Sequence, residues 1–292
     1  MKRIFSIALL GLLPGTVAVA DGVPPELLWE TPGFVAPESV VLDAERDVFY
    51  VSNMGTWGKG REPRDGFISR VGADGTLLEA RWVTDLENPK GLALVGGRLF
   101  VGDDDALVEI DTAAGAIVAR HAPATGPVGF NDCTADPAGR VYVFSSRLST
   151  VFRLQDGVFE PWAEFDRTST GSINGLLAES DRLLLGSWST RGPDGVERLG
   201  HLSTIDFATR TSARLGSEPI ANIDGIEADG HAGYTVTDWV TGAVLRVSAD
   251  GRPELLMTLP QGVADHTHVV ARQLLVFPLV KDHTLRAYRW VP

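Results

Sequence analysis

The chain has 292 residues, with 26 Lys and Arg against 38 Asp and Glu, 44% apolar residues and a single cysteine. So acidic a composition, with no basic cluster to offset it, excludes nucleic acid and anionic membranes as partners. One thiol, Cys133, excludes an internal disulfide, so stability must come from a buried core, which this length and apolar content can supply.

The first predicted element is a leader. Lys2 and Arg3 give a positive start, Ile4 to Leu13 is an apolar core too short to span a bilayer, and Ala18-Val19-Ala20 is a small-x-small cleavage site. The expectation is a signal peptide over residues 1–20, one domain over 21–292 and a periplasmic or secreted location, with no stable membrane insertion after cleavage. Loss of Lys2 and Arg3 takes the formal charge from −12 to −14.

From residue 26 onward the predicted elements are short strands. "ELLWE" (26–30) stands alone, and "SVVLD" (39–43), "DVFYVSN" (47–53) and "FISRVG" (67–72) follow, with an Asp74-Gly75 turn signal after them. The second of these strands recurs as "RLFVGD" (98–103), "RVYVFS" (140–145), "RLLLGS" (182–187), "GYTVTD" (233–238) and "QLLVFP" (273–278). Aligned on Val51, Val101, Val143, Leu185, Val236 and Phe277, the steps are 50, 42, 42, 51 and 41 residues. That is the period of a four-stranded propeller blade. The sixth unit ends after its third strand, "TLRAYRW" (284–290). The predicted fold is therefore all-β, a six-bladed β-propeller in which "ELLWE" supplies the missing outer strand and closes the last blade.

Eleven to thirteen residues before each aligned position stand Glu38, Lys90, Asn131, Asn174, Asp224 and Asp265. Asn174-Gly175 and Asp224-Gly225 are also turn dipeptides, so one repeat alone would read as a turn. The same phase in six repeats places these side chains where the inner strands begin, converging at one end of the central channel. Carboxylates in a narrow protein-lined channel need compensation, and a cation supplies it. Glu38, Asn131, Asn174 and Asp224 are hard oxygen donors without His or Cys. They suit one divalent cation, Ca²⁺ first, with Mg²⁺, Mn²⁺ or Zn²⁺ as alternatives. Lys90 either binds a substrate carboxylate or phosphate, or pairs with Asp265.

The segments "PES", "NDCTADPAGRVYV", "NGLLAESDRLLLGS" and "DGIEADGHAGYTVTDW", in this order and at blade spacing, resemble the senescence-marker-protein/gluconolactonase-like family, with which squid-type diisopropylfluorophosphatase is grouped. The resemblance implies a six-bladed propeller with one catalytic divalent cation. Its metal-binding Glu falls on Glu38, its later ligands on Asn174 and Asp224, and the Asn that contacts metal or substrate on Asn131. The Arg that binds sugar acids in gluconolactonase-type members has no counterpart in "GPVGFND", where Gly129 and Phe130 stand.

Residues just after the aligned strands are expected to line the entrance: Trp57, Asp103-Asp104-Asp105, Arg147, Trp188, Trp239 and Lys281. The three tryptophans would make a largely apolar cup, suited to a ring ester or an aromatic ester. The aspartates read as a solvated loop or a second ion site. His266 and His268 share one face of the last inner strand and are candidates for proton transfer. The expected substrate-binding set is Lys90, Arg147, Trp188, Trp239, Asp265 and His266. Cys133 reads as a buried filler, and Ser39 and Ser172 lack a nucleophile-elbow motif. Two functions stay open. One is a metal-dependent lactonase or ester hydrolase with Asp224, through the resemblance, or Asp132 as proton acceptor, acting on a small-molecule ester or lactone. The other is a non-catalytic propeller with a structural cation that binds a ligand or partner protein.

Overall fold

The computed structural model describes residues 18–19, 23–58, 60, 62–124, 126, 128–192 and 194–291. Six antiparallel sheets of four principal strands follow one another around an axis. Their innermost strands are Pro37–Asp43, Leu92–Val95, Phe130–Ala135, Ser172–Ala178, Ile223–Ala228 and Thr267–Val269. These head blades 1 to 6. Blade 4 departs from the pattern: its second strand, Arg182–Arg191, is long and carries an extra strand, Glu197–Leu199. Among the described residues no helix is long and apolar enough to cross a membrane.

The last blade takes its outer strand from the other end of the chain. Glu26–Pro32 pairs antiparallel with Thr284–Arg289, with Glu26 opposite Arg289 and Pro32 opposite Thr284. Trp29 of this strand packs on the blade 1 turn at Gly75, whose φ is +88°; a Cβ there would lie 2.8 Å or closer to the indole. A side chain at Gly75 would thus prise blade 1 from the closing strand. The leader expected over residues 1–20 lies outside the described residues, apart from Ala18–Val19. That pair runs parallel to Glu254 and Leu255 at the outer edge of blade 5.

Both faces of each blade are covered by neighbouring blades, which explains strands apolar at consecutive positions. In Val48–Asn53, Tyr50 packs with Leu99 and Val101 of blade 2, while Phe49 and Val51 pack with Val276 of blade 6. The same interleaving joins Phe100 to Phe130, Tyr142 to Leu185, Leu184 to Val236, and Val244 to Phe277. Each fully buried aromatic of this kind is worth several kcal/mol, on the order of 3–5 if truncated to Ala. The core is thus a circle of six interfaces and leaves the axis to polar groups.

Turns at the far end of the inner strands are fixed by acids. Asp43 accepts the N–H groups of Glu45 and Arg46, and its second oxygen takes Arg46 and the Tyr50 hydroxyl. Asp136 does the same for Ala138, Arg140 and Tyr142.

Candidate metal and substrate site

Four of the inner strands break register at the residue that faces the axis. The pairing slips between Pro37 and Val40, between Phe130 and Cys133, between Ile173 and Gly175, and between Ile223 and Ile226. Each slip contains one predicted oxygen donor: Glu38, Asn131, Asn174 and Asp224. A bulge adds an unpaired residue and re-aims its side chain, which is how a strand otherwise buried on both faces delivers a polar group to the axis.

The glycine after the donor has a packing function. Gly175 and Gly225 lie inside strands, without the left-handed backbone of a turn. A Cβ at Gly175 would sit 2.3 Å from the Asp224 carbonyl oxygen, and one at Gly225 would meet the Asp265 backbone at 2.9 Å. Adjacent inner strands therefore approach as closely as they do only because these positions have no side chain.

The donors meet. Asn131 Nδ2 donates to Asn174 Oδ1, and Asn174 Nδ2 donates to Asp224 Oδ1 at 2.7 Å. Glu38, Lys90, Asn131, Asn174 and Asp224 line one cleft of about 330 Å³, together with Met54, Trp57, Asn88, Trp188, Trp239 and Val280. Glu38 and Asp224 are only 7% and 6% exposed. Burial, and then the charge of Asp224, hold the Glu38 carboxyl well above its ordinary range. Burial, and then Asp265, push Asp224 up to about 8, with Lys90 pulling the other way. Glu38 Oε2 is buried and has no hydrogen-bond partner among the described residues. An orphaned carboxylate oxygen, a second buried carboxylate and two amide side chains lining one cleft fit a hard divalent cation.

Behind this group lies a second polar layer. Asp265 accepts from Ser39 Oγ at 2.5 Å, its N–H donates to the Glu38 carbonyl at 3.0 Å, and burial raises its carboxyl to about 7. Asp132 accepts the Leu176 N–H at 2.5 Å, and burial raises it strongly. His266 stacks on Phe277, with ring centroids 5.1 Å apart, and its Nε2 lies 2.7 Å from Thr235 Oγ1; burial takes it down to about 3. His268 Nδ1 lies 3.0 Å from the Ala228 carbonyl oxygen, and its ring lies beside Trp290.

Asp132, Asp265 and His266 therefore do not line the cleft, and neither does Arg147, which is exposed beyond the second strand of blade 3. Lys90 does line it and makes no ion pair with Asp265 among the described residues; Ser39 holds that carboxyl instead. The Asp103 run is not a solvated loop as a whole. Asp103 is fully buried and accepts the Glu87 and Asn88 N–H groups. It thereby sets Asn88, a cleft residue that sequence reasoning missed. Met54 and Val280 were missed too, since apolar residues between a strand and a loop carry no signal of their own. Cys133 is buried and its thiol donates to the Gly91 carbonyl oxygen at 3.1 Å, as a filler would.

No family model matches the chain, and no curated protein matches it in sequence. Solved structures do match its fold. A gluconolactonase from Xanthomonas campestris superposes with a TM-score of 0.66 at 17% identity, over 95% of this chain and 99% of the other. Virginiamycin B lyase from Staphylococcus aureus gives 0.64 at 12% identity, over 91% and 100%. A gluconolactonase candidate solved by a structural-genomics consortium gives 0.64 at 16% identity, over 94% of each chain. At such identities the likeness carries the fold: this chain is a six-bladed β-propeller, and gluconolactonase-like propellers are among its structural neighbours.

Proposed function

We propose that the protein is a metal-dependent hydrolase of the lactonase or ester type. It would work at one divalent cation, Ca²⁺ in the first instance, held by Glu38, Asn131, Asn174 and Asp224. The observation that carries this reading is the buried, unpartnered Glu38 Oε2 in a cleft that Asn131, Asn174 and Asp224 of three other blades also line. Structural neighbours include a lactonase and a lyase, so the fold alone does not choose the reaction.

When bound, such a cation supplies Lewis acidity to a carbonyl oxygen. The protein's own groups do the rest. Asn174 holds Asp224 Oδ1 and leaves the second oxygen of that carboxylate to take a proton from the attacking water. Asp132 is committed to the Leu176 N–H and ties blade 3 to blade 4, which makes it the weaker base candidate. Trp57, Trp188 and Trp239 give one side of the cleft an apolar lining. The missing sugar-acid Arg argues for a substrate other than an aldonolactone.

The test is a panel of lactones and aryl esters, assayed with the purified protein after chelation and after return of Ca²⁺, Mg²⁺, Mn²⁺ or Zn²⁺. Turnover that needs the cation and is lost in Asp224→Asn supports the reading. No turnover with any metal, alongside a cation effect on melting temperature alone, leaves a propeller with a structural ion.

A further inference from the structure

The cleft has two unlike sides. Trp57, Trp239 and Trp188 form a continuous aromatic row: Trp57 and Trp239 have ring centroids 6.0 Å apart at 64°, and Trp239 and Trp188 are 5.7 Å apart at 50°. Met54 and Val280 extend this apolar side. Trp57 is 53% exposed, a large apolar area for a side chain at the mouth of a polar channel. The row comes from blades 1, 5 and 4. Blade 2, which carries Asn88 and Lys90, stands across the axis from blade 5, because six blades in a closed ring put the second opposite the fifth. Lys281 already occupies Trp239 from outside, its Nζ 4.6 Å from the ring centroid and anchored to Gln261 Oε1 at 2.6 Å. Lys90 Nζ has no ion pair among the described residues.

We infer that the cleft takes a planar aromatic carboxylate, with its ring against Trp57 and Trp239 and its carboxylate toward Lys90. This rests on reading the cleft as the substrate site, and it names the substrate class: an ester or lactone whose acyl part carries an aromatic ring. Three features lead to it. A cleft of about 330 Å³ is at the small end of ligand pockets and admits one or two fused rings. Tryptophan faces favour flat apolar partners in offset or tilted contact. An ammonium with no ion pair among the described residues, across the cleft from the aromatic row and close enough to Glu38 and Asp224 to act on their charges, favours an anion over a neutral group of the same shape.

Binding can be measured apart from turnover. Phenylacetate, acetate and benzyl alcohol are titrated calorimetrically into the purified protein, with and without Ca²⁺. Phenylacetate is expected to bind at least about tenfold more tightly than either of the others. Trp57→Ala, at an exposed position, and Trp239→Ala should each weaken phenylacetate by roughly three- to tenfold. Lys90→Met should bring phenylacetate down to the level of benzyl alcohol, with its melting curve confirming the fold. Acetate binding as well as phenylacetate, or Lys90→Met leaving phenylacetate unchanged, overturns the inference. Phenylacetate binding without any ester turnover sinks the hydrolase reading alone. Turnover of aliphatic lactones with no binding of phenylacetate sinks this inference alone.

Discussion

Asn174 Nδ2 donates to Asp224 Oδ1 at 2.7 Å, joining side chains 50 residues apart. The pair sits where burial already opposes the carboxylate charge, so Asp224 costs stability unless a positive partner offsets it. Asp224→Asn should therefore raise the melting temperature of the chelated protein, and it should remove most of the increment that Ca²⁺ gives to the unmutated chain. On the hydrolase reading, turnover falls by at least about 100-fold, the lower end of what a general base contributes. Scanning calorimetry with and without chelator checks the first part. A chelated variant that melts lower than its parent contradicts it.

Stability should also follow pH in a stated direction. Asp265 at about 7 and Asp224 at about 8 lie above the value near 4 of an unfolded carboxyl. Their contribution is fully present below about pH 4 and is lost as pH rises through 7 and 8. His266, held down at about 3, acts oppositely: its contribution is present above about 6.5 and lost as pH falls toward 3. The chelated protein is expected to be most stable at mildly acid pH. At about pH 8 a divalent cation should restore what the carboxylates lose, by mass action. A melting temperature flat from acid to alkaline pH would count against the buried acid cluster.

Gly175→Ala tests the close approach of the inner strands. The added methyl meets a backbone oxygen at 2.3 Å, so the strands must part. A cost of about 1–3 kcal/mol in urea unfolding is expected, with weaker cation binding because Asn174 and Asp224 belong to the two strands that move. Unchanged stability and unchanged affinity together would show that the interface has slack.

Ring closure gives a fourth test. Removing residues through Pro32 leaves Thr284–Arg289 as a bare edge strand beside exposed solvent. Light scattering should then report association between copies at concentrations where the longer chain stays monodisperse or keeps its own assembly state. Trp29→Ala, a milder change at the same joint, should cost about 1–3 kcal/mol, since the ring is only partly buried against Phe49 and the Gly75 turn.

The architecture was legible because it is periodic. Strands apolar at every position, such as "VFYV", return at blade spacing, and the isolated strand "ELLWE" is the one the sixth blade takes as its outer strand. Five of the residues lining the cleft, Glu38, Lys90, Asn131, Asn174 and Asp224, were legible for the same reason, as one phase repeated along the chain, whereas the sixth, Asp265, lies behind them. What periodicity cannot show is direction. Asp132 and Asn131 are neighbours in one bulge, yet one holds a backbone N–H of the next blade while the other faces the axis, and only the local backbone decides which. The Asn-Gly and Asp-Gly pairs look like turns because their chemistry allows turns. Here they are strand residues, and the glycine answers to a neighbouring strand far off in sequence. Asn88 was invisible because its place is set by a buried aspartate fifteen residues later, within a run of acids that reads as solvent-facing.

The seam that completes blade 6 also fixes how the molecule would respond to force. Glu26 and Arg289 are partners, so the two ends of the described ring leave from the same rung of one ladder. Tension between them loads that rung first and Pro32–Thr284 last. The seam then unzips one bond at a time, where strands pulled lengthwise past each other would share the load. The propeller is mechanically weakest at its own fastening, a ladder inside blade 6, and of the six interfaces between blades only the one that Trp29 makes with blade 1 shares the pull before the seam has parted.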